Sequence, residues 1–390
     1  MPEAPALSEK DLRHWKLLER FQEVLGPVAA PSALHPTFAD PRRTLGYASY
    51  LSLFLFGLFN PVVQTMRQLC AVSDLKKVQA VTGAKRVSLG SFSEAQAVLE
   101  PDLLKQVFQQ LVQQMPGCLR ADPQLVSLKI IAQDGSLWRA LPRMRWAEYG
   151  VGADGQAKGV RLHLRLNISK GCPEDALVTR GKGSETAALR RMLVAGQTTL
   201  ADRLYGKSYK LMAEIDRARA FFIFRLHNDA AIDWEQGLVL SPSDVAAGVV
   251  RHGWAHLGAT AQWRSMRVRV IEVQRDGHRL LLATNHPPEQ VSAELAGALY
   301  RRRWDIELYF RWIKCVLGMR HFFAESAPGV ALQIYLGLIA GLLLQMFTGR
   351  RPNRREMDLL QFYFLGWAEA EELARLISRY RPRSASCQKQ

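Results

Sequence analysis

LVSLKIIAQDGS, Leu125 to Ser136, reads as a buried strand that runs into an acidic turn. Leu125 to Gln133 is mostly apolar, and Asp134-Gly135-Ser136 is turn chemistry, so the strand is predicted to end on a carboxylate. Working outward, VRLHLRLNI from Val160 to Ile168 alternates strictly. Val160, Leu162, Leu164, Leu166 and Ile168 face one side, and Arg161, His163, Arg165 and Asn167 the other. Ala176 to Thr179 supplies a third strand. SETAALRRML, Ser184 to Leu193, has a helical pattern with Ser184 as its cap. Thr198 to Ala201 is a short strand that delivers Asp202; Tyr209 to Ala218 reads as helix and Phe221 to Leu226 as strand.

The order is three strands, a helix, a strand, a helix and a strand, with one Asp ending the first strand and another the fourth. That is the order of a ribonuclease-H-like α/β core. Residues 1 to about 120 read as helical, with apolar spacing of three and four in Asn60 to Thr82 and Ser93 to Met115. Ser91 or Ser93 is the expected cap of the latter helix and Pro116-Gly117 its stop. Residues 227–288 look β-rich: MRVRVIEV (Met266 to Val273) alternates, Asp276-Gly277 signals a hairpin, and Leu280 to Thr284 returns. A long helix is expected from about Ser292 to Leu317, then a loop, an apolar helix from Val330, and a basic tail from Gly349 with a loose end from Arg381. The predicted organisation is a helical N-terminal region (1–120), a ribonuclease-H-like core in two parts (121–226 and 289–348), a β-rich insertion (227–288) and a short helical, basic tail (349–390).

Composition narrows the partner. The 390 residues carry 52 Lys plus Arg against 36 Asp plus Glu, a formal charge of +16. Such an excess draws polyanions, because phosphate binding releases condensed counterions. Nucleic acid is the first candidate and an anionic membrane the second. The five cysteines (70, 118, 172, 315 and 387) are odd in number and widely spaced, which argues against a disulfide framework or a zinc knuckle and for a reducing cytoplasm. The first twenty residues lack the apolar core of a signal peptide. Tyr47 to Val63 and Val330 to Phe347 approach the roughly 20 apolar residues of a membrane span. Ser49, Ser52 and Asn60 in the first, and Gln333 and Gln345 in the second, favour buried helices of a large core and no membrane.

LYRRRWDIELYFRWIKCVL, Leu299 to Leu317, carries the chemistry. At about 100° per residue, Tyr300, Arg303, Glu307 and Lys314 fall within an arc of about 60° on a helix. That stripe borders the apolar arc of Leu299, Ile306, Phe310, Ile313 and Leu317, so it lines a groove edge. An Arg and a Glu four apart are ordinarily a solvated pair, as Arg301 and Asp305 are expected to be. Here the same chain offers two strand-end carboxylates. Asp134, Asp202 and Glu307 together suit two Mg²⁺ ions, and flanking cations suit the phosphates such ions act on.

The spacing Tyr300, Arg303, Glu307, Lys314 resembles the signature of the IS-four family of bacterial insertion-sequence transposases: Tyr, two residues, Arg, three residues, Glu, six residues, Lys. Asp134 in QDGS and Asp202 in LADRLYGKS resemble the family's two aspartates. The 105 positions between Asp202 and Glu307 match its habit of inserting a β-rich domain there. The resemblance covers roughly residues 120–348. One departure is that the family often has Gly before an aromatic after the second Asp and Arg, whereas here Leu204 precedes Tyr205 and Gly206 follows.

The resemblance implies a cut-and-paste transposase that cleaves and joins DNA with two Mg²⁺ ions on Asp134, Asp202 and Glu307, Mn²⁺ substituting. It implies Tyr300, Arg303, Lys314 and Arg203 as DNA contacts. It implies double-stranded DNA as partner, both terminal inverted repeats and target, with a homodimer pairing two ends. A hairpin intermediate needs a flipped base held by an aromatic, for which Trp254 and Trp263 are candidates that also suit a core. Position and resemblance point to the N-terminal helices, including Lys85 to Gln110, as readers of the element's ends. A transposase-derived DNA-binding protein without catalysis is the alternative. Other motifs fail: ADRLYGKS lacks the first Gly of a P-loop, His252 and His256 lack the metalloprotease Glu, and Ser136 and Ser208 have no evident His partner.

Overall fold

The computed structural model describes residues 21, 23–26, 45–115, 126–141, 143–152, 155–258, 266–275, 277–319 and 321–379. The expectations placed on the first twenty residues, Pro116-Gly117, Cys118, Trp263, Asp276 and the end from Arg381 lie outside them. The chain forms two compact units: one takes residues up to Pro116, Ala140–Ala147 and from Phe310, the other Gly117–Arg139 and Glu148–Tyr309.

The second of these units is mixed α/β, built on one ten-stranded sheet. Its strands are β1 (Ile130–Arg139), β2 (Glu148–Gly152), β3 (Gly155–Asn167), β4 (Cys172–Arg180), β5 (Thr198–Ala201), β6 (Phe221–Arg225), β7 (Ile232–Gly237), β8 (Val249–Leu257), β9 (Arg267–Arg275) and β10 (His278–Thr284). The order along the main path is β2-β3-β1-β5-β6-β10-β9-β8-β7, with β4 pairing β3. β1, β5 and β6 are parallel neighbours, while β3 runs antiparallel to β1. β6 hands over to the antiparallel run β10, β9, β8, β7, so residues 232–284 continue the same sheet. The parallel strands are short and covered, as TTLA of β5 shows, all four residues being buried. Helices Glu185–Arg191 and Tyr209–Arg217 make the crossovers; Ser184 caps the first as its sequence predicts. The polar face of β3 is also covered. Arg165, nearly fully buried, donates to the Met192 carbonyl and to the Gln197 side chain, which satisfies it inside the protein.

Two boundaries differ from expectation here. Leu125 is not described, Val126 and Ser127 are helical, and β1 starts at Ile130 after Lys129, whose φ is 46°. β1 also continues through Asp134 to Arg139, because β3 pairs with it as far as Arg139. Asp134 is therefore inside a strand, not at its end. Pairing with β5, however, stops at Ala132, so Asp134 lies beyond the parallel ladder.

The other unit is helical. Tyr47–Phe59, Met66–Val72, Lys76–Thr82, Leu89–Val98 and Pro101–Gln114 precede the sheet in sequence. Ser88, not Ser91 or Ser93, caps the helix that contains Ser93, and a break at Leu99-Glu100 separates it from the next, which opens on Pro101. The helix Ala327–Thr348 starts at a Ser326 cap and ends at Gly349 with φ 69°. It is long and apolar enough to cross a membrane, and 83% of its apolar window is buried in the protein. It packs on Pro101–Gln114, Tyr47–Phe59 and Leu89–Val98. Gln333 in its middle is buried yet satisfied, accepting from the Phe323 N–H and donating to the His321 carbonyl. The amide thus fastens the preceding loop to the helix. Arg354–Phe364 and Ala370–Arg379 follow.

Candidate functional site

Register brings the two aspartates together. Ile130, Ile131 and Ala132 of β1 lie opposite Thr198, Thr199 and Leu200 of β5. Continued two places, that register sets Asp202, the residue just past β5, abreast of Asp134 of β1, the two strands being spaced about 5 Å. Residues opposite one another on parallel strands project to the same face, so both carboxylates belong to one edge of the sheet.

Each is then fixed locally. Asp134 accepts from the Gly135 N–H at 2.7 Å. Asp202 caps the short helix Arg203–Gly206, accepting from the Leu204 N–H at 2.9 Å. That turn explains Gly206, where the sequence departs from the resembled pattern: a Cβ there would sit 1.9 Å from the Arg225 carbonyl oxygen of β6. Only glycine lets the turn lie so close to the strand.

Glu307 comes from Trp304–Arg311 and is joined to Asp134 through Arg303. One guanidinium donates to Glu307 Oε1 at 2.5 Å and stands 3.5 Å from Asp134 Oδ2. Two prongs of one planar fork hold these oxygens no more than about 8 Å apart. Tyr300, mostly buried, lies beneath Arg303 with its ring centre 6.0 Å from the guanidinium carbon. Asp305 turns away and pairs with Arg302 at 3.0 Å, an ordinary helical ion pair.

The single helix expected from Ser292 to Leu317 is instead three pieces: Ala293–Arg302, Trp304–Arg311 and a π-helical turn Trp312–Val316. Tight bonds from the Arg303 N–H to the Tyr300 carbonyl and from the Ile306 N–H to the Arg303 carbonyl interrupt it. A uniform rotation from Tyr300 to Lys314 therefore does not hold. Lys314 lies in the π-helical turn, within the helical unit, where burial lowers its ammonium pKa. Arg203 is exposed.

Charge is unbalanced at this edge. Burial, with Glu185 and Asp202 adding repulsion, pushes the Asp134 carboxyl up to about 7 against the pull of the Gly135 N–H and Arg303. Glu185, whose sequence context marks only the start of a helix, is held above its ordinary range by burial and by Asp202. Its position is a tertiary fact: only the fold lays the first turn of that helix against β1. Among the described residues no three His, Cys, Asp or Glu side chains stand close enough to cage a metal as they lie, and the cation between Asp134 and Glu307 is the Arg303 guanidinium. Beside Arg303 opens a cleft of about 670 Å³ lined by Arg225, Arg279, Tyr300, Arg301 and Trp304 among others, a basic groove.

His252 is buried, its pKa pulled down to about 4 by burial and Arg269, and His256 faces Glu235 at 3.6 Å. Trp254 is half-buried on β8 with the Arg267 guanidinium over its ring at 4.6 Å.

Fold and site define a class: a mixed α/β protein with one carboxylate within β1, a second just past the neighbouring parallel strand β5, and basic residues beside them. The profile of the transposase DDE domain family matches residues 127–343, and the chain belongs to that family. It is 26% identical over 219 residues to a protein of Geobacillus stearothermophilus named "Probable transposase for insertion sequence element IS5377", covering 56% of each chain. It is 28% identical over 222 residues to y4zB of Sinorhizobium fredii, covering 56% of this chain and 60% of that one. The chain thus spans a little over half the length of the curated relatives it matches. A solved structure titled as a piggyBac transposase synaptic complex with hairpin DNA aligns over 97% of this chain and 83% of its own, with a TM-score of 0.46 and 9% identity.

Proposed function

We propose that this chain is an insertion-sequence transposase of the IS-four type, with Tyr300, Arg303, Glu307 and Lys314 as its signature and a ribonuclease-H-like core that cleaves DNA strands and joins them elsewhere. The observation that carries this is that Arg303 joins Asp134 of β1 to Glu307 of Trp304–Arg311, while the β1–β5 register, continued, sets Asp202 beside Asp134. In this reading residues 227–288 are the insertion and the N-terminal helices contact the element's ends.

The acidic residues suit divalent cations. Asp134 is a half-buried carboxylate that feels the charges of Glu185 and Asp202, and oxygen-only donors are what Mg²⁺ and Mn²⁺ prefer. Asp134, Asp202 and Glu307 would hold two such ions, which activate an attacking oxygen and stabilise the leaving one in phosphoryl transfer. The remaining roles belong to the chain. Arg303 neutralises Asp134 and Glu307 when the site is idle, and its fork is shaped to take a phosphate instead. Tyr300 limits where that guanidinium can move. The Arg225, Arg279 and Arg301 cleft gives a DNA backbone a path to Arg303, and Arg203 and Lys314 are further phosphate contacts. Two protomers in the cytoplasm would pair two element ends.

The test is incubation of the chain with the inverted repeats flanking its own gene, with and without Mg²⁺. Strand cleavage that requires Mg²⁺ and disappears in Asp134→Asn supports the reading. Tight, end-specific binding with no cleavage under either condition would leave a DNA-binding protein and overturn the enzymatic assignment.

A further inference from the structure

Glu185 is the first residue of Glu185–Arg191, with its side chain only 10% exposed. Its carboxylate pairs with Arg161 of β3. It lies directly on the backbone of β1: a Cβ built on Gly135 would be 3.0 Å from both Glu185 Cδ and Oε1. The bare Cα of Gly135, next in sequence to Asp134, is what admits this carboxylate to the sheet edge. Its charge is felt at Asp134, and that of Asp202 is felt at Glu185.

A second observation is independent of the acidic cluster. Tyr205 is fully buried, with Glu185, Asp134, Asp202 and Gln133 as its polar neighbours. Its hydroxyl approaches Glu185 and Gln133 without closing a hydrogen bond of normal geometry to either, and the fully buried Gln133 side chain closes none of its own. Unsatisfied buried donors and acceptors are rare, and those facing a pocket of negative charge mark a place where a bound ion and its waters complete the bonding.

Buried carboxylates survive only if paired, and here Arg161 serves Glu185 while Arg303 is shared between Asp134 and Glu307. Asp202 has a backbone N–H for a partner. We propose that Glu185 is a fourth acidic member of the divalent-cation site formed with Asp134 and Asp202, held in reserve by Arg161 and admitted by Gly135. This rests on the cation-site reading above. It predicts opposite effects from the two halves of the pair. Removing Glu185 weakens cation binding, whereas removing Arg161 frees the carboxylate and strengthens it. A purely structural ion pair would give equal instability from either change and no change in cation affinity.

The experiment is Mn²⁺ titration of the full chain without DNA, free Mn²⁺ being read by electron paramagnetic resonance and folding by circular dichroism. Glu185→Gln should weaken binding at least about tenfold, and Arg161→Gln should tighten it by about threefold or more. If Glu185→Gln fails to fold, the double variant Glu185→Gln with Arg161→Gln, which leaves no unpaired charge, takes its place with the same expected weakening. Affinity and stoichiometry within twofold of the parent in either acid-removed variant, while Asp134→Asn and Asp202→Asn lose Mn²⁺, would sink the Glu185 assignment alone. Unchanged binding in Asp134→Asn and Asp202→Asn as well would instead remove the cation site on which it rests.

Discussion

Asp202, the residue just past β5, stands abreast of Asp134 of β1 although 68 positions separate them in sequence, since the β1–β5 register, continued past Ala132 and Leu200, aligns them. Backbone geometry that places two carboxylates side by side makes each dependent on the other for any shared cation. Asp134→Asn and Asp202→Asn should each cut strand cleavage to below about one hundredth, because removal of one member of a joint site costs nearly as much as removal of all. DNA affinity, measured by gel shift, should stay within a few-fold. Cleavage retained in either variant would dissolve the pairing.

Asp134 also predicts a pH effect. Its folded-state pKa, about 7, is above the ordinary carboxylate value, so between pH 4 and 7 the folded chain binds the extra proton. Stability from this group is fully present below pH 4 and is lost as pH rises to 7. In metal-free buffer Asp134→Asn should therefore be more stable than the parent at pH 7, by about 1–3 kcal/mol, with the gain vanishing near pH 4. Urea unfolding at the two pH values checks this, and saturating Mg²⁺ should narrow the gap.

His286 works in the opposite direction. Burial holds its imidazole down to about 4, and its Nε2 is 2.8 Å from the Thr198 hydroxyl of β5. A depressed histidine lets the unfolded chain bind the extra proton, so stability falls as pH drops from about 6.5 to 4. His286→Gln should flatten that limb of the stability profile. A slope unchanged in the variant would place the acid sensitivity at His163 and His252, which burial depresses in the same way.

Much of this architecture was legible because the relevant signals are local. The alternation of Val160 to Ile168, the Ser184 cap and the β5 run ending at Asp202 each depend on a few neighbouring residues. Where β1 begins and ends was not, because β3 extends it past Asp134 and pairing partners are remote in sequence. The stretch from Tyr300 to Lys314 has a uniform helical pattern in sequence but not in structure, since nothing in residue types marks the tight turn at Arg303 or the π-helical turn at Trp312–Val316. Glu185 and Gly135 were invisible as a pair for the same reason: glycine after an aspartate reads as turn chemistry, and its actual use is to clear space for a carboxylate 50 positions away.

Gly206 gives a structural test away from the charges. A Cβ at this position would overlap the Arg225 carbonyl of β6, a backbone atom that cannot rotate aside. Gly206→Ala should destabilise the chain by about 2–4 kcal/mol, near the upper end for single changes. Because the turn Arg203–Gly206 is capped by Asp202, the same variant should reduce cleavage beyond what its lower stability explains. Activity measured well below its melting point separates the two effects.

Arg303 sits where a cation is wanted, and its two roles predict a graded series. Arg303→Gln leaves Asp134 and Glu307 without their shared partner, so the metal-free chain should lose about 1–3 kcal/mol. The same variant should be stabilised more by Mg²⁺ than the parent is, since no guanidinium competes for the carboxylates. Arg303→Lys keeps the charge but cannot span both oxygens with a planar fork, so it should restore part of the stability and little of the DNA cleavage. Thermal melts with and without Mg²⁺ read the first effect and nicking assays the second. Equal Mg²⁺ stabilisation of parent and Arg303→Gln would mean that the guanidinium and the ion do not share a place, and the cation site would have to lie on the Asp202 and Glu185 side of Asp134 instead.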